Sequence, residues 1–76
     1  MGKLPFLKAQ ELAKILIKIG FEQPRKQSGS HMFFRHPDGR TTVVPNHPNE
    51  DIDRRLLNKI IRKDLQMTRE EFEKYI

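Results

Sequence analysis

Residues 27–40, QSGSHMFFRHPDGR, hold the side chains best suited to proton transfer at a phosphate group. His31 follows a Gly-Ser pair, and histidine titrates near pH 6.5, so it can accept or donate a proton at neutral pH. Gly29 would let a phosphate approach the backbone closely, and the Ser30 hydroxyl can donate a hydrogen bond to it. Three nearby cations could hold the phosphate charge: Lys26, Arg35 and Arg40.

These groups suit the cleavage of RNA, which carries its own nucleophile in the 2′-hydroxyl. Cleavage requires that hydroxyl to lose a proton, the leaving 5′-oxygen to gain one and the charge around phosphorus to be stabilised. One positioned proton-transfer group typically accelerates such a step by about 10²–10⁴-fold. The competing interpretation is that His31 is an ordinary strand residue at the start of a hairpin. Residue types alone favour that second interpretation.

The other two histidines are interpreted structurally. His36 begins a Pro-Asp-Gly turn, where we expect a hydrogen bond to Asp38. His47 follows Val-Pro-Asn and could reach the His31 end of the sheet as a second proton-transfer group, but a place in the loop before a helix is the favoured interpretation. The spacing of the three histidines matches no metal-ligand motif and the chain has no cysteine, so we expect neither a metal nor another cofactor.

Apolar residues at intervals of three and four predict two long helices, over residues 8–19 and 51–64. Gly20 can end the first helix in a left-handed conformation. Thr68 and Glu71 form a capping box that opens a short last helix. The aromatic and apolar side chains expected in the core include Phe6, Phe21, Phe34, Phe72 and Ile76.

Three strands are predicted between the long helices. The first, residues 22–27, contains Pro24, which lacks a backbone donor and therefore favours an edge strand or a bulge. The other two, residues 31–36 and 40–44, are joined by the Pro-Asp-Gly turn as a hairpin. The order α-β-β-β-α predicts a three-stranded antiparallel sheet with both long helices on one face.

Side chains alternate across a strand, so the second predicted strand divides between two faces. Met32 and Phe34 are expected to face the helices. His31, Phe33 and Arg35 then face solvent on the other side of the sheet. Phe33 could stack there on a base, worth roughly 1–3 kcal/mol, or be buried by a protein partner.

The length of 76 residues predicts one domain over residues 1–76. The net charge of +5 favours an anionic partner: nucleic acid, an acidic protein or a lipid surface. Basic residues between positions 54 and 63 could track a phosphate backbone, and a solvated helix face explains them equally well. The lack of cysteine fits a reducing cytoplasm. No apolar run approaches the ~18 residues of a membrane span.

Three segments together resemble the HicA (YcfA-like) family of small toxins: GF at 20–21, KQSGSHMFFRHPDGRTTVVPNH at 26–47 and IIRKDLQMTREEF at 60–72. The likeness extends over residues 4–76. Its most specific part is the Gly-Ser-His triplet followed by an aromatic strand, His-Pro-Asp-Gly-Arg and Val-Pro-x-His.

The resemblance implies an α+β fold like that of a double-stranded-RNA-binding domain, α-β-β-β-α with a short C-terminal helix. It implies a metal-independent mRNA endoribonuclease, or interferase, that acts as the toxin of a type II toxin–antitoxin system. The family's catalytic histidine falls on His31. A HicB-like antitoxin would bind the toxin and cover that histidine, and we expect the toxin alone to be a monomer in the cytoplasm. The residues expected to contact RNA or phosphate are Lys26, Gly29, Ser30, Phe33, Arg35 and Arg40.

The sequence departs from the family pattern at two places. The spacing from Phe21 to Lys26 is one residue longer than usual, and Pro24 stands where a strand former is expected. Gln66 replaces the usual glycine before the last helix, which costs about 1 kcal/mol in a left-handed conformation. The alternative functions are a basic RNA-binding module without nuclease activity and a domain that binds only an acidic protein.

Overall fold

The computed structural model describes residues 6–23, 31–47 and 49–76 as an α+β fold, with helices covering one face of an antiparallel hairpin. Its elements in chain order are α1 (Ala9–Ile19), β1 (His31–Arg35), β2 (Thr41–Pro45), α2 (Arg54–Lys59), a π-helical segment (Ile60–Asp64) and α3 (Arg69–Glu73). Within the described residues, no helix is long and apolar enough to cross a bilayer.

Helix α1 ends as its sequence predicts. Gly20 has φ +120°, and its amide donates to the carbonyls of Leu16 and Ile17. The amide of Phe21 also donates to Leu16, at 2.9 Å, and the Phe21 ring is buried. These bonds satisfy carbonyls that a helix end otherwise leaves without partners. A Cβ on Gly20 would lie 2.9 Å from Nε2 of His36, so glycine also permits the hairpin turn to approach the helix.

The predicted hairpin is confirmed, with β1 and β2 antiparallel and His31 paired with Pro45. At the other end, the amide of His36 donates to the carbonyl of Arg40 at 2.8 Å. The amide of Gly39 donates to His36 at 2.9 Å, and Gly39 takes φ +104°, as the turn chemistry predicts.

The described residues form a sheet of two strands, where the sequence predicts three. Glu22, the first residue of the predicted extra strand, pairs with Arg35 as an isolated antiparallel bridge. Each amide donates to the other's carbonyl, at 2.7 and 2.9 Å. Residues 24–27 of that predicted strand, with Pro24, lie outside the described residues.

The second long helix begins at Arg54 rather than at Asp51 as predicted. Asp53 is its N-cap and accepts the amide of Arg55 through its carboxylate, at 3.3 Å. Asp51 instead forms a β-bridge and an ion pair of 3.1 Å with Lys8, just before α1. That pairing holds the chain extended, so the helix starts later.

The core lies between the hairpin and the helices. Its side chains include Leu12, Leu16, Phe34, Val44, Leu57, Ile60, Ile61, Leu65 and Phe72, each nearly or wholly buried. Two predictions of core residues are wrong, because Phe6 is 60% and Ile76 is 56% exposed. The Phe6 ring lies on the surface under the guanidinium of Arg54, 3.8 Å away. Ile76 lies beyond the end of α3, and Phe72 fills the core instead.

Gln66 joins the π-helical segment to α3 in a left-handed conformation, φ +57°. The amide of Met67 reaches back to the carbonyl of Ile61 at 3.0 Å. The predicted capping box follows: Thr68 accepts the amide of Glu71 at 3.1 Å, and its own amide donates to that glutamate at 2.8 Å. The glycine-like geometry expected at Gln66 is therefore present.

Candidate functional site

The open sheet face, defined here as the exposed side chains of the hairpin strands, is the candidate site. It consists of His31, Phe33, Arg35, Thr41 and Val43. Met32 and Phe34 alternate with the first three residues and are buried. The predicted division of β1 between two faces is confirmed.

His31 is the first residue of β1 and is exposed at the end of the hairpin that lies away from its turn. Its imidazole makes no hydrogen bond or ion pair with the described residues. A histidine in that setting can exchange protons with a bound molecule, because no described residue occupies either ring nitrogen.

Phe33 and Val43 are direct partners across the two strands and form the apolar centre of the open sheet face. Phe33 is 39% exposed and Val43 is 45% exposed. His31 lies on one side of this pair along β1 and Arg35 on the other. A flat apolar centre between two polar ends suits a nucleic-acid base or a protein partner.

The rise of a strand sets how far apart the polar groups of β1 lie. Arg35 follows His31 by four positions, which is about 13 Å along the strand. Arg35 therefore lies well apart from His31 on the open sheet face. The predicted contacts Lys26, Gly29 and Ser30 lie outside the described residues.

Arg40 lies apart from the open sheet face, at the turn end of the hairpin. Its Nε donates to the carboxylate of Asp38 at 2.8 Å, and its Nη1 donates to the carbonyl of Leu65. The guanidinium also lies 5.4 Å from the centre of the Phe21 ring. The backbone amide of Arg40 donates to Asp38 and, with the charges of Arg40 and His36, holds the pKa of that carboxyl below its ordinary value.

His36 belongs to the same turn and has the structural role expected of it. Its ring meets the Phe21 ring edge-to-face, with 5.0 Å between centres. Nδ1 lies 3.1 Å from the amide nitrogen of Asp38 and 3.0 Å from its carboxylate. A neutral ring accepts the amide hydrogen there, whereas a protonated ring donates to the carboxylate, so both protonation states have a partner.

His47 is exposed two residues beyond Pro45, at the His31 end of the hairpin. Its carbonyl accepts the amide of Glu50 at 3.0 Å. It lines a cavity of about 220 Å³ together with three acidic residues, Glu50, Asp51 and Asp53. Negative charge there repels phosphate, which favours the loop interpretation of His47 over proton transfer on RNA. Within the described residues, no group of three or more His, Asp or Glu side chains is placed to hold a metal ion.

Residues 9–67 match the sequence profile of the HicA toxin of bacterial toxin–antitoxin systems. The chain belongs to the HicA toxin family. The match covers most of the 76 residues, from α1 through the hairpin to the residue after Gln66. Membership in this family makes the protein a toxin with an antitoxin partner. A search of curated proteins gave no match.

Sequence reasoning missed Val43 as a member of this HicA toxin's open sheet face. Alternation along β2 divides its side chains between two faces, but the pairing register must be known before one of those faces can be matched to the His31 face of β1. The pairing of Phe33 with Val43 supplies that register. The contact between Phe6 and Arg54 was also missed, since those residues lie far apart in the sequence.

Proposed function

We propose that this toxin is an endoribonuclease that cleaves messenger RNA, with His31 as the proton-transfer residue. The observation that supports this role most directly is the exposed imidazole at the edge of the open sheet face, without a partner among the described residues. Family membership supplies the toxin role, and RNA cleavage is a chemistry that one accessible histidine can promote.

In the proposed reaction the 2′-hydroxyl of the substrate loses its proton to the imidazole of His31, and the 2′-oxygen bonds to the adjacent phosphorus. The bond from phosphorus to the 5′-oxygen breaks, and that oxygen takes up a proton. The products are a 2′,3′-cyclic phosphate and a 5′-hydroxyl. Because the nucleophile belongs to the RNA, the proposed reaction requires no metal ion.

The remaining predicted contacts take separate parts in this proposal. Gly29 and Ser30 directly precede His31 and shape the pocket around the reacting phosphate, and Lys26 offsets its charge. Phe33 stacks on a base, and Arg35 contacts a neighbouring phosphate. Arg40 is left out, because its guanidinium is already bonded to Asp38 and Leu65.

The antitoxin is proposed to be HicB-like and to bind the open sheet face, where Phe33 and Val43 expose apolar surface. Binding there would cover His31. The toxin alone is proposed to be a cytoplasmic monomer. The bridge between Glu22 and Arg35 supports a third strand and hence a fold like that of double-stranded-RNA-binding domains.

The test uses purified protein, a fluorescent single-stranded RNA and excess chelator. We expect cleavage to continue in chelator, to leave 2′,3′-cyclic phosphate ends and to stop at a position that carries 2′-deoxyribose. Cleavage of the deoxyribose position would contradict the proposed nucleophile. Tight RNA binding without any cleavage would support the alternative of a non-catalytic RNA-binding module.

A further inference from the structure

A second surface of the protein carries a row of positive charges that form no ion pair with the described residues. We call it the cation stripe, and its members are Arg55, Lys59, Arg62 and Lys63, all exposed. Arg55, Lys59 and Lys63 are each four residues apart along α2 and the π-helical segment, and Arg62 follows Lys59 by three, so they share one side of that helix. Together with Asn58 they line a surface depression of about 520 Å³.

The acidic residues nearest in sequence do not neutralise the cation stripe. Asp53 caps α2 through its carboxylate, and Asp64 accepts a hydrogen bond from Thr42 at 2.8 Å. The ion pairs among the described residues involve Lys8, His36 and Arg40, and none includes a member of the stripe. Four like charges on about two turns of helix repel one another, so an anionic partner would relieve that repulsion.

We infer that the cation stripe binds the phosphate backbone of single-stranded RNA outside the cleavage site. Because it presumes an RNA substrate, this site rests on the function proposed above. Arg55 and Lys59 lie about 6 Å apart along the axis of α2, which is comparable to the separation of neighbouring phosphates in a nucleic-acid strand, and Lys63 continues the row in the π-helical segment. Such contacts hold a strand without reading its sequence.

The lining of the depression favours a nucleic acid over an acidic protein. Its five residues are all charged or amide side chains, with no apolar or aromatic member. Protein interfaces usually place apolar and aromatic side chains at their centre and are poor in lysine. Nucleic-acid backbones are contacted by arginine, lysine and asparagine, which are the residue types present here.

A groove connects the cation stripe to the open sheet face. The outer edge of β2 and α2 enclose a cavity of about 310 Å³, whose lining includes Thr41, Val43, Lys59 and also Asp64, whose carboxylate accepts a hydrogen bond from Thr42. Thr41 and Val43 belong to the open sheet face and Lys59 to the stripe. A strand held by the stripe therefore has a continuous path to the surface that presents His31, and the RNA footprint extends several nucleotides beyond the cleaved bond.

The experiment compares two double substitutions, each of which removes two positive charges from exposed lysines four residues apart. Lys59→Gln with Lys63→Gln alters the stripe, whereas Lys14→Gln with Lys18→Gln alters exposed lysines at the same spacing on α1. Both pairs are introduced into a His31→Ala background, and binding of a 20-nucleotide single-stranded RNA is measured by fluorescence anisotropy from low to high salt. The RNA stays intact, so binding is measured whether or not the protein is a nuclease.

We expect the stripe variant to bind about tenfold more weakly at low salt and to reduce the slope of log affinity against log salt by about 1.4, or about 0.7 for each phosphate that is no longer neutralised. The α1 variant should bind like its parent. Equal weakening in both variants would overturn the inference, since net charge alone would explain it. Binding of polyglutamate but not RNA would also overturn it and assign an acidic protein to the stripe.

Cleavage kinetics of the same double substitutions in protein that retains His31 give a second readout. The stripe variant should raise KM for the 20-nucleotide RNA, leave kcat unchanged and cleave a dinucleotide as the unaltered protein does. A fall in kcat with unchanged KM would overturn the inference. Stripe-dependent binding in a protein that never cleaves RNA would overturn the nuclease proposal alone.

Discussion

The guanidinium of Arg40 donates a hydrogen bond to the carbonyl of Leu65 and thereby ties the hairpin turn to the end of the π-helical segment. Its Nε donates at the same time to Asp38. Both bonds involve a charged group and a side chain that is only 20% exposed. The phosphate contact predicted for Arg40 from the sequence stays a prediction, and the geometry gives its guanidinium a part in stability.

Replacing Arg40 with methionine should lower the free energy of unfolding by about 2 kcal/mol, because it removes the part-buried bond to the carbonyl of Leu65, and hydrogen bonds to charged groups are worth about 1.5–3 kcal/mol. Urea denaturation measures the change. Arg35→Met is the matched control, since Arg35 is exposed on the open sheet face and should change stability by less than about 0.5 kcal/mol. A larger loss from Arg35→Met than from Arg40→Met would contradict these roles.

Gln66→Gly should raise the free energy of unfolding by about 1 kcal/mol, because only glycine adopts φ +57° without a steric penalty from Cβ. A glycine in the middle of α1, Lys14→Gly, should instead lower stability by about 0.5–1 kcal/mol, since glycine is unfavourable inside a helix. Thermal unfolding of both variants gives the two signs. Destabilisation by Gln66→Gly would mean that the glutamine side chain makes a contribution larger than the strain.

The acid dependence of stability should report on Asp38. Its backbone hydrogen bond from Arg40 lowers the carboxyl pKa below 3.8, so the folded state binds a proton less readily than the unfolded state. This contribution to stability is complete above the ordinary pKa and is lost as pH falls through the lowered one. The stability difference between wild type and Asp38→Asn should therefore be greatest at neutral pH and shrink below about pH 4. A difference that grows on acidification would contradict that direction.

Val43→Asn should weaken binding of the cognate antitoxin about tenfold or more, because burial of a valine side chain contributes about 1.5 kcal/mol or more. Titration calorimetry with purified antitoxin measures the affinity. Ile17→Asn provides the control, since Ile17 is 51% exposed on α1, away from the open sheet face. Equal losses from the two substitutions, or a loss only from Ile17→Asn, would place the antitoxin elsewhere.

Local rules accounted for the parts of the fold that depend on neighbours in sequence. The hairpin turn at Gly39, the helix end at Gly20 and the capping box at Thr68 each follow from the residues present within one turn. The alternation of β1 likewise placed His31 outside and Phe34 inside. These features need no knowledge of the rest of the chain.

Contacts between distant residues account for what sequence reasoning missed. Lys8 pairs with Asp51, so α2 begins later than predicted. Phe6 lies outside the core, with its ring beneath the guanidinium of Arg54. The bond from Arg40 to Leu65 crosses 25 positions in the chain. No periodicity encodes such pairs, because they depend on how the elements pack together.

The most direct test of the central role of His31 is the single-turnover rate of RNA cleavage by His31→Ala relative to wild type, measured with enough protein to saturate the RNA. Loss of one proton-transfer group should reduce that rate by about 10²–10⁴-fold. The circular dichroism spectrum of the variant, and its oligomeric state without antitoxin, should match those of wild type. His47→Ala, from the acidic cavity at the same end of the hairpin, should cleave at a rate close to wild type. A folded His31→Ala protein that cleaves RNA as fast as wild type would contradict the assignment.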